Sequence, residues 1–250
     1  MEGWKLLLVM ALQADGRTVE GDPMEGALLG PAGMFADADI CSNVLLVRGG
    51  GRTVLIDTAA GQLDSEWEGA TSNLEQALAA QGCALADVDT VVLTHLDFDH
   101  CGGAPDVPAE RVFVTATAAA WARALPADRS ARRVVEALGD RLQEAADGDE
   151  VAPGIRLVEA PGHRGGHACV EIAVDGTTRV FLADVIHHPS HVEHPEWDRE
   201  FDTDPETGLA TRRRWLAELA GTGVRCAASH IDGWGTIEAA GDGYRWQPAG

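Results

Sequence analysis

All nine histidines of this 250-residue chain fall between His95 and His230, and most of them follow short apolar runs that read as β-strands. Such a pattern constrains the fold strongly, because the C-terminal ends of several strands must meet at one edge. Histidines scattered through a core would not cluster in this way. The densest group is His95-Leu-Asp-Phe-Asp-His100, directly after the apolar strand Thr90–Leu93. Alternate residues of an extended segment share a side, so His95, Asp97 and Asp99 can converge while His100 turns to an adjacent position. Imidazoles and carboxylates are the ligand set of zinc and similar divalent metals. The Gly102-Gly103 pair that follows is expected to let the backbone turn sharply beneath the site. Alone, this motif is moderately specific, because a solvated turn can carry the same two acids and two histidines. Three further strand ends argue otherwise: Pro161-Gly-His163-Arg-Gly-Gly-His167, Asp184 after Val180–Ala183, and Ser229-His230 after the last long strand.

Residues 4–12 and 44–58 read as strands, with Gly49-Gly50-Gly51 as a hairpin turn inside the second region. Segments 112–114, 155–159, 168–174, 179–183 and 224–228 also read as strands, and a final hairpin closes at Tyr244–Trp246. Helices are expected over Asn73–Gln81, which stops at Gly82, and over 116–124, 130–145 and Pro205–Ala220. The last of these should present Arg212-Arg213-Arg214 to solvent. Residues 13–40, rich in Gly, Asp and Pro, read as a long loop of the kind that is usually functional. Strands in groups with helices between them give an α/β (α+β) class with two sheets or one large mixed one. No linker interrupts the chain, so residues 1–250 are expected to form one domain.

The formal net charge of −21 argues against nucleic acid or an anionic membrane as partner. No apolar run approaches the roughly 18 residues of a membrane span, and Leu6–Leu12 reads as a strand rather than a signal peptide. Five cysteines without a CxxC pair make a reducing, cytoplasmic setting the expectation.

In order and spacing these motifs resemble the metallo-β-lactamase superfamily over essentially the whole chain. The resemblance implies a four-layer αββα sandwich with two divalent metal ions, zinc first and manganese or iron as alternatives, at one edge of the sheets. It implies that His95 and His163 hold the first metal, that Asp99, His100 and His230 hold the second, and that Asp184 bridges both. The segments from Ala183 to Trp197, Phe201-Asp-Thr-Asp-Pro205, Ala210–Arg214 and Gly243-Tyr-Arg-Trp246 are most similar to the branch of N-acyl-homoserine lactone lactonases and methyl parathion hydrolase. Attack by a metal-bridging hydroxide on an ester, a lactone first, is the chemistry this implies. Thioesters, aryl esters and phosphotriesters are the alternatives, and a metal-binding pseudo-enzyme is a further one. In that branch a loop like 13–40 covers the site and contributes to a dimer interface, so a homodimer acting on a small-molecule substrate is compatible with the resemblance.

The family's first motif is normally HxHxDH, and here Asp97 stands in the second histidine position. Asp97 either ligates the first metal, leaves that site weak, or marks a chain that binds without catalysis. Two divalent ions set against Asp99, Asp184 and a hydroxide leave one net positive charge, and a third carboxylate makes the site neutral. Water and carbonyl activation should weaken, and a harder site should favour manganese or iron. Asp99 and His187 are the expected catalytic residues, Asp99 orienting the nucleophile and His187 polarising the carbonyl where the lactonases often carry a tyrosine. His167 reads as structural, Cys101 as a buried inert thiol, and His191 and His194 as loop or surface residues. Phe35, Phe98, Ile186, His188, Trp197 and Trp234 are the expected substrate contacts, with Met34 and Phe201 as further candidates for an apolar wall.

Overall fold

A computed structural model describes residues 5–14, 40–61, 73–174 and 176–249. The loop expected over 13–40 lies outside them apart from its strand ends, as do Met34 and Phe35. In the first sheet β1 (Lys5–Ala14), β2 (Ile40–Gly49), β3 (Arg52–Ile56), β4 (Thr90–Val92), β5 (Arg111–Thr115) and β6 (Leu142–Ala145) lie in sequence order. The pairings are antiparallel as far as β3 and parallel from β3 to β6. The second sheet holds β7 (Glu150–Ala152), β8 (Ile155–Glu159), β9 (Ala168–Val174), β10 (Thr177–Phe181), β11 (Arg225–Ala228), β12 (Ile231–Ala240) and β13 (Gly243–Pro248). It is antiparallel except between β10 and β11.

Period-two alternation divides each sheet's side chains between two cores. On β2 and β3, Leu45, Val47, Val54 and Ile56 face Leu157, Val170, Ile172 and Phe181 of the second sheet, forming the core between the sheets. Their neighbours Val44, Leu46 and Leu55 point the other way, into a core shared with α1 (Leu74–Ala80), α2 (Phe98–Cys101), α3 (Ala116–Ala124) and α4 (Ser130–Leu138). On the far side of the second sheet Cys169, Val180, Cys226 and Ile237 pack against Trp215, Leu216 and Leu219 of α6 (Pro205–Leu219), with α5 (Ser190–Glu193) nearby. Three cores between four layers make an αββα sandwich. Each fully buried Leu, Ile or Val contributes about 1.5–3 kcal/mol. No helix among the described residues is long and apolar enough to cross a membrane.

Several expectations need correction. The helix expected over 130–145 ends at Leu138, because the buried positions Ala131, Val134, Val135 and Leu138 complete the apolar stripe and Gly139 turns out of the helix at φ 53°. Residues Leu142–Ala145 then pair with β5 as an edge strand. Gly102 is helical at φ −59° and ψ −35°, so it makes no sharp turn. A Cβ there would lie 2.4 Å from the Phe98 carbonyl oxygen and 2.7 Å from the Gly61 nitrogen, so the glycine permits close backbone approach instead. Arg212 does not face solvent with its neighbours. It lies on the buried face of α6 with Gly208, Trp215 and Leu219. His191 is likewise buried, whereas the His194 side chain is 46% exposed.

Strands β3 and β4 run in one direction, as do β8, β10 and β11, so five C-terminal strand ends reach the same rim. Asn43 joins the two sheets there: its Nδ2 donates to the Ala228 and Ile231 carbonyls at 3.1 and 2.8 Å, and its backbone N–H donates to Ser229. The turn that carries His230 is therefore tied to β2.

Candidate metal centre

One carboxylate oxygen lies at the centre of the rim. Oδ2 of Asp184 is 3.2 Å from His187 Nε2, 3.3 Å from His230 Nε2, 3.4 Å from His100 Nε2, 3.5 Å from His163 Nε2 and 3.8 Å from His95 Nε2. Two groups flank it. In the first, Asp97 Oδ2 lies 3.6 Å from His163 Nε2 and 3.8 Å from His95 Nε2. In the second, Asp99 Oδ2 lies 3.4 Å from His100 Nε2 and 3.8 Å from His230 Nε2. Four sets of three donor atoms are compact enough to hold an ion: His95/His100/Asp184, His95/Asp97/His163, Asp99/His100/His230 and His163/Asp184/His187.

The donor set fits divalent metals on two grounds. Tetrahedral ligation at about 2.0–2.1 Å places donor atoms roughly 3.4 Å apart, which is the spacing seen here. In addition, His95 Nε2, His100 Nε2, His163 Nε2 and Asp184 Oδ1 are buried with no hydrogen-bond partner. Each such orphaned atom costs about 1–3 kcal/mol, and a cation would satisfy all of them together.

The electrostatics of the site call for positive charge at its centre. Burial opposes ionisation of Asp184, but His100, His230 and His187 outweigh it and hold the carboxyl well below its usual range. Burial also works against Asp99, which His100 and His230 bring down to about 2. Burial and the adjacent His100 hold His95 well below its ordinary value. His100 goes the other way: Asp184 and Asp99 outweigh its burial and raise it well above the usual imidazole value.

Asp57, at the end of β3, orients two of these imidazoles at once. Its Oδ2 lies 2.9 Å from His100 Nδ1 and accepts a hydrogen bond from Thr94 Oγ1 at 2.8 Å, while Thr94 Oγ1 also contacts His95 Nδ1 at 3.0 Å. Both Nδ1 atoms are engaged, so both Nε2 atoms face the centre. Asp57 and Ala183 adopt φ values of 60° and 48°, costly for residues with a Cβ, and both positions adjoin the site. Sequence reasoning missed Asp57, although Val54-Leu-Ile-Asp57 carries the same strand-ending acid signal as Asp184. Losing such an outer partner typically costs 10–100-fold in metal affinity. Asp57→Asn is therefore expected to weaken zinc binding by about that much, as read by competition with a chromophoric chelator; unchanged affinity would remove the role.

His167 is held as a neutral tautomer. Its Nδ1 donates to the Ala160 carbonyl at 3.0 Å and its Nε2 accepts the Asp184 backbone N–H at 3.2 Å; burial, followed by His163, lowers it to about 3. Cys101 is buried, and burial followed by the Asp97 charge raises its thiol well above the ordinary value. His187 is fixed by stacking between Phe201, at 4.3 Å, and His230, at 5.3 Å.

The expected substrate contacts divide. Phe98 is half-buried against the helical core. Ile186 needs correction: it is fully buried in the core under α6, so it packs rather than lines a wall. Nδ1 of His188 accepts the Ser190 backbone N–H at 3.2 Å and lies 2.9 Å from the Ser190 hydroxyl. Trp197 stacks on His194 at 4.0 Å, and Trp234 packs against the inter-sheet core beneath the Arg179 guanidinium.

Two charged groups near His163 were also missed. Arg164 bonds Asp97, and Asp202 lies between His163 Nδ1, at 3.7 Å, and Arg212 Nη2, at 3.0 Å. Neither pairing is visible in local sequence patterns, because Arg164 and Asp97 are 67 positions apart.

Comparison with known proteins bears on the family and the fold. The "probable metallo-hydrolase" Rv2300c of Mycobacterium tuberculosis is 32% identical over 193 residues, covering 64% of this chain. Mb2322c of Mycobacterium bovis matches to the same extent. The aligned region spans 61% of each relative's length, about three-fifths. Among solved structures, the dizinc quorum-quenching lactonase AidC, in complex with a product, superposes with a TM-score of 0.83 at 21% identity, over 99% of this chain and 95% of that one. The hydrolase AbOPH superposes with a TM-score of 0.79 at 24% identity, over 100% and 96%. The family model for the metallo-β-lactamase superfamily matches residues 41–227. With three quarters of its length inside that match and the αββα layers around it, this chain belongs to the metallo-β-lactamase superfamily.

Proposed function

We propose that this protein is a metal-dependent hydrolase that opens an ester bond, with a lactone as the first-choice substrate. The observation that carries the reading is Asp184 Oδ2, set 3.2–3.8 Å from five imidazoles between two three-donor groups. Bound there, two divalent ions would supply Lewis acidity toward a carbonyl and a water made nucleophilic near neutral pH. Zinc is the first choice because imidazoles dominate the donor set; manganese and iron are the alternatives.

The chain's own residues do the rest. Asp99 stays ionised, and its Oδ2 accepts a hydrogen bond from the Ser42 hydroxyl at 3.3 Å. It can accept a proton from the attacking water and return it to the leaving alkoxide as the ester C–O bond breaks. His187, held by its two stacking partners, is the group assigned to polarise the substrate carbonyl. The similarity to AidC over nearly the whole chain supports a lactone rather than an unrelated ester. A small-molecule substrate, a homodimer and a cytoplasmic setting belong to the same proposal; the four buried free thiols among the described residues support the last.

The test is a panel of acyl-homoserine and simple lactones, p-nitrophenyl esters, thioesters and paraoxon, each assayed with zinc, manganese and iron. Lactone turnover with the highest kcat/KM is expected. Preference for another class would reassign the substrate, and uniform inactivity at full metal occupancy would make the chain a binder.

A further inference from the structure

Arg164 is held from both ends. Its Nε lies 2.9 Å from Oδ1 and 2.8 Å from Oδ2 of Asp97. Its Nη1 donates to the carbonyls of His163 at 2.9 Å and Phe201 at 2.6 Å. The two side chains are about equally shielded, at 24% and 22% exposed. An arginine anchored on two carbonyls has little freedom to swing away, and its Nε–H, shared between both carboxylate oxygens, holds the carboxylate beside it. The carboxylate's Oδ2 is the oxygen that faces His163 Nε2 and His95 Nε2.

We propose that Asp97 and Arg164 act as one ligand unit, a carboxylate whose charge is cancelled by an anchored guanidinium, in the place of a neutral imidazole. Arg164 is then a positioning residue that also sets the charge of the site. Counting Asp97 alone makes the dinuclear site formally neutral. Counting the pair restores one net positive charge, which removes the electrostatic reason for weakened water and carbonyl activation. The pair also explains how a chain of this family can carry an acid at the second motif position and keep a working first site.

A guanidinium left without its carboxylate repels a divalent ion, whereas a carboxylate left without its guanidinium loses its orientation. Arg164→Gln should therefore act with opposite signs in the two backgrounds, weakening binding where Asp97 is present and strengthening it where Asp97 has been replaced. In the otherwise native chain, Arg164→Gln is expected to weaken retention of the first zinc about tenfold. Asp97→His alone is expected to weaken it about a hundredfold, and adding Arg164→Gln to that variant should recover about tenfold. Affinities would be measured on the full chain by zinc titration against a chromophoric chelator, with far-UV circular dichroism to establish folding. Asp97→Asn, nearly the same shape without the charge, replaces Asp97→His if that variant does not fold.

Effects of Arg164→Gln in the same direction in both backgrounds would overturn the pair. The inference rests on the metal-dependent reading above. A native chain that binds no zinc overturns that reading and the pair together, while a zinc-binding chain with same-sign effects overturns the pair alone.

Discussion

Replacing Asp184 with Asn is expected to lower hydrolysis by about a thousandfold, some 4 kcal/mol of lost transition-state stabilisation, and to reduce the ions retained per chain. Asn keeps the volume and both heavy-atom positions, so packing beside Val185 and Leu182 is unchanged. What it removes is the negative charge facing five imidazoles, and it puts an amide in place of one oxygen. If the amide nitrogen turns toward the histidines, it presents a donor where ligation needs a lone pair. The cluster's own balance shows how much depends on this charge, since Asp184 is the strongest influence raising His100. Elemental analysis of dialysed protein alongside kcat/KM for the best substrate would read both effects. A variant that keeps two ions and stays within tenfold of native activity would show that Asp184 does not bridge. The ions are also expected to stabilise the fold, because they satisfy buried atoms that have no other partner.

The candidate site is legible in the sequence through one rule: a histidine or acid within a few positions of the end of an apolar strand. His95, His163, Asp184 and His230 all obey it, and the shared direction of their strands makes them converge. Asp57 obeys it too and was overlooked because no histidine accompanies it. Arg164 stood in plain view between His163 and His167, but its meaning depends on a partner brought close by sheet packing, which periodicity cannot show. Gly102 is legible as a glycine but not as a turn; its reason is the backbone of Ala60 and Gly61, and the Phe98 carbonyl, lying where a Cβ would stand. The helix that ends at Leu138 carried its stop signal in Gly139, while Leu142–Ala145 is a strand because β5 lies beside it.

Arg212 shows most clearly how charge can mislead where spacing would not. It lies three residues after Leu209 and three before Trp215, on the apolar stripe of α6, yet two neighbouring arginines suggested a solvated face. The structure buries it to 1% exposure and uses all three nitrogens. Nε donates to the Val185 carbonyl at 2.7 Å, Nη1 to the Pro195 carbonyl at 3.0 Å and Nη2 to Asp202 Oδ2 at 3.0 Å. Gly208 on the same helix is glycine because a Cβ would lie 2.1 Å from that Asp202 oxygen. Arg212→Met keeps most of the apolar stem but leaves the Asp202 charge buried without its partner and two carbonyls without a donor. Breaking a buried pair in this way costs about 3–5 kcal/mol, which at this chain length is a fall in melting temperature of roughly 6–20 °C.

The measurement should be made in excess chelator, so that loss of metal does not enter. A loss below about 1 kcal/mol, the level of an exposed pair, would contradict the burial argument. The double variant Asp202→Asn with Arg212→Met removes the stranded charge, so it should be more stable than Arg212→Met alone. A functional effect follows from the same contacts. Val185 is next to Asp184, and Asp202 lies beside His163 Nδ1, so one buried cation braces the segments that carry two of the candidate metal donors. Repeating the comparison with zinc present should widen the gap between native and Arg212→Met, because the native chain binds the ion more tightly and gains more from it.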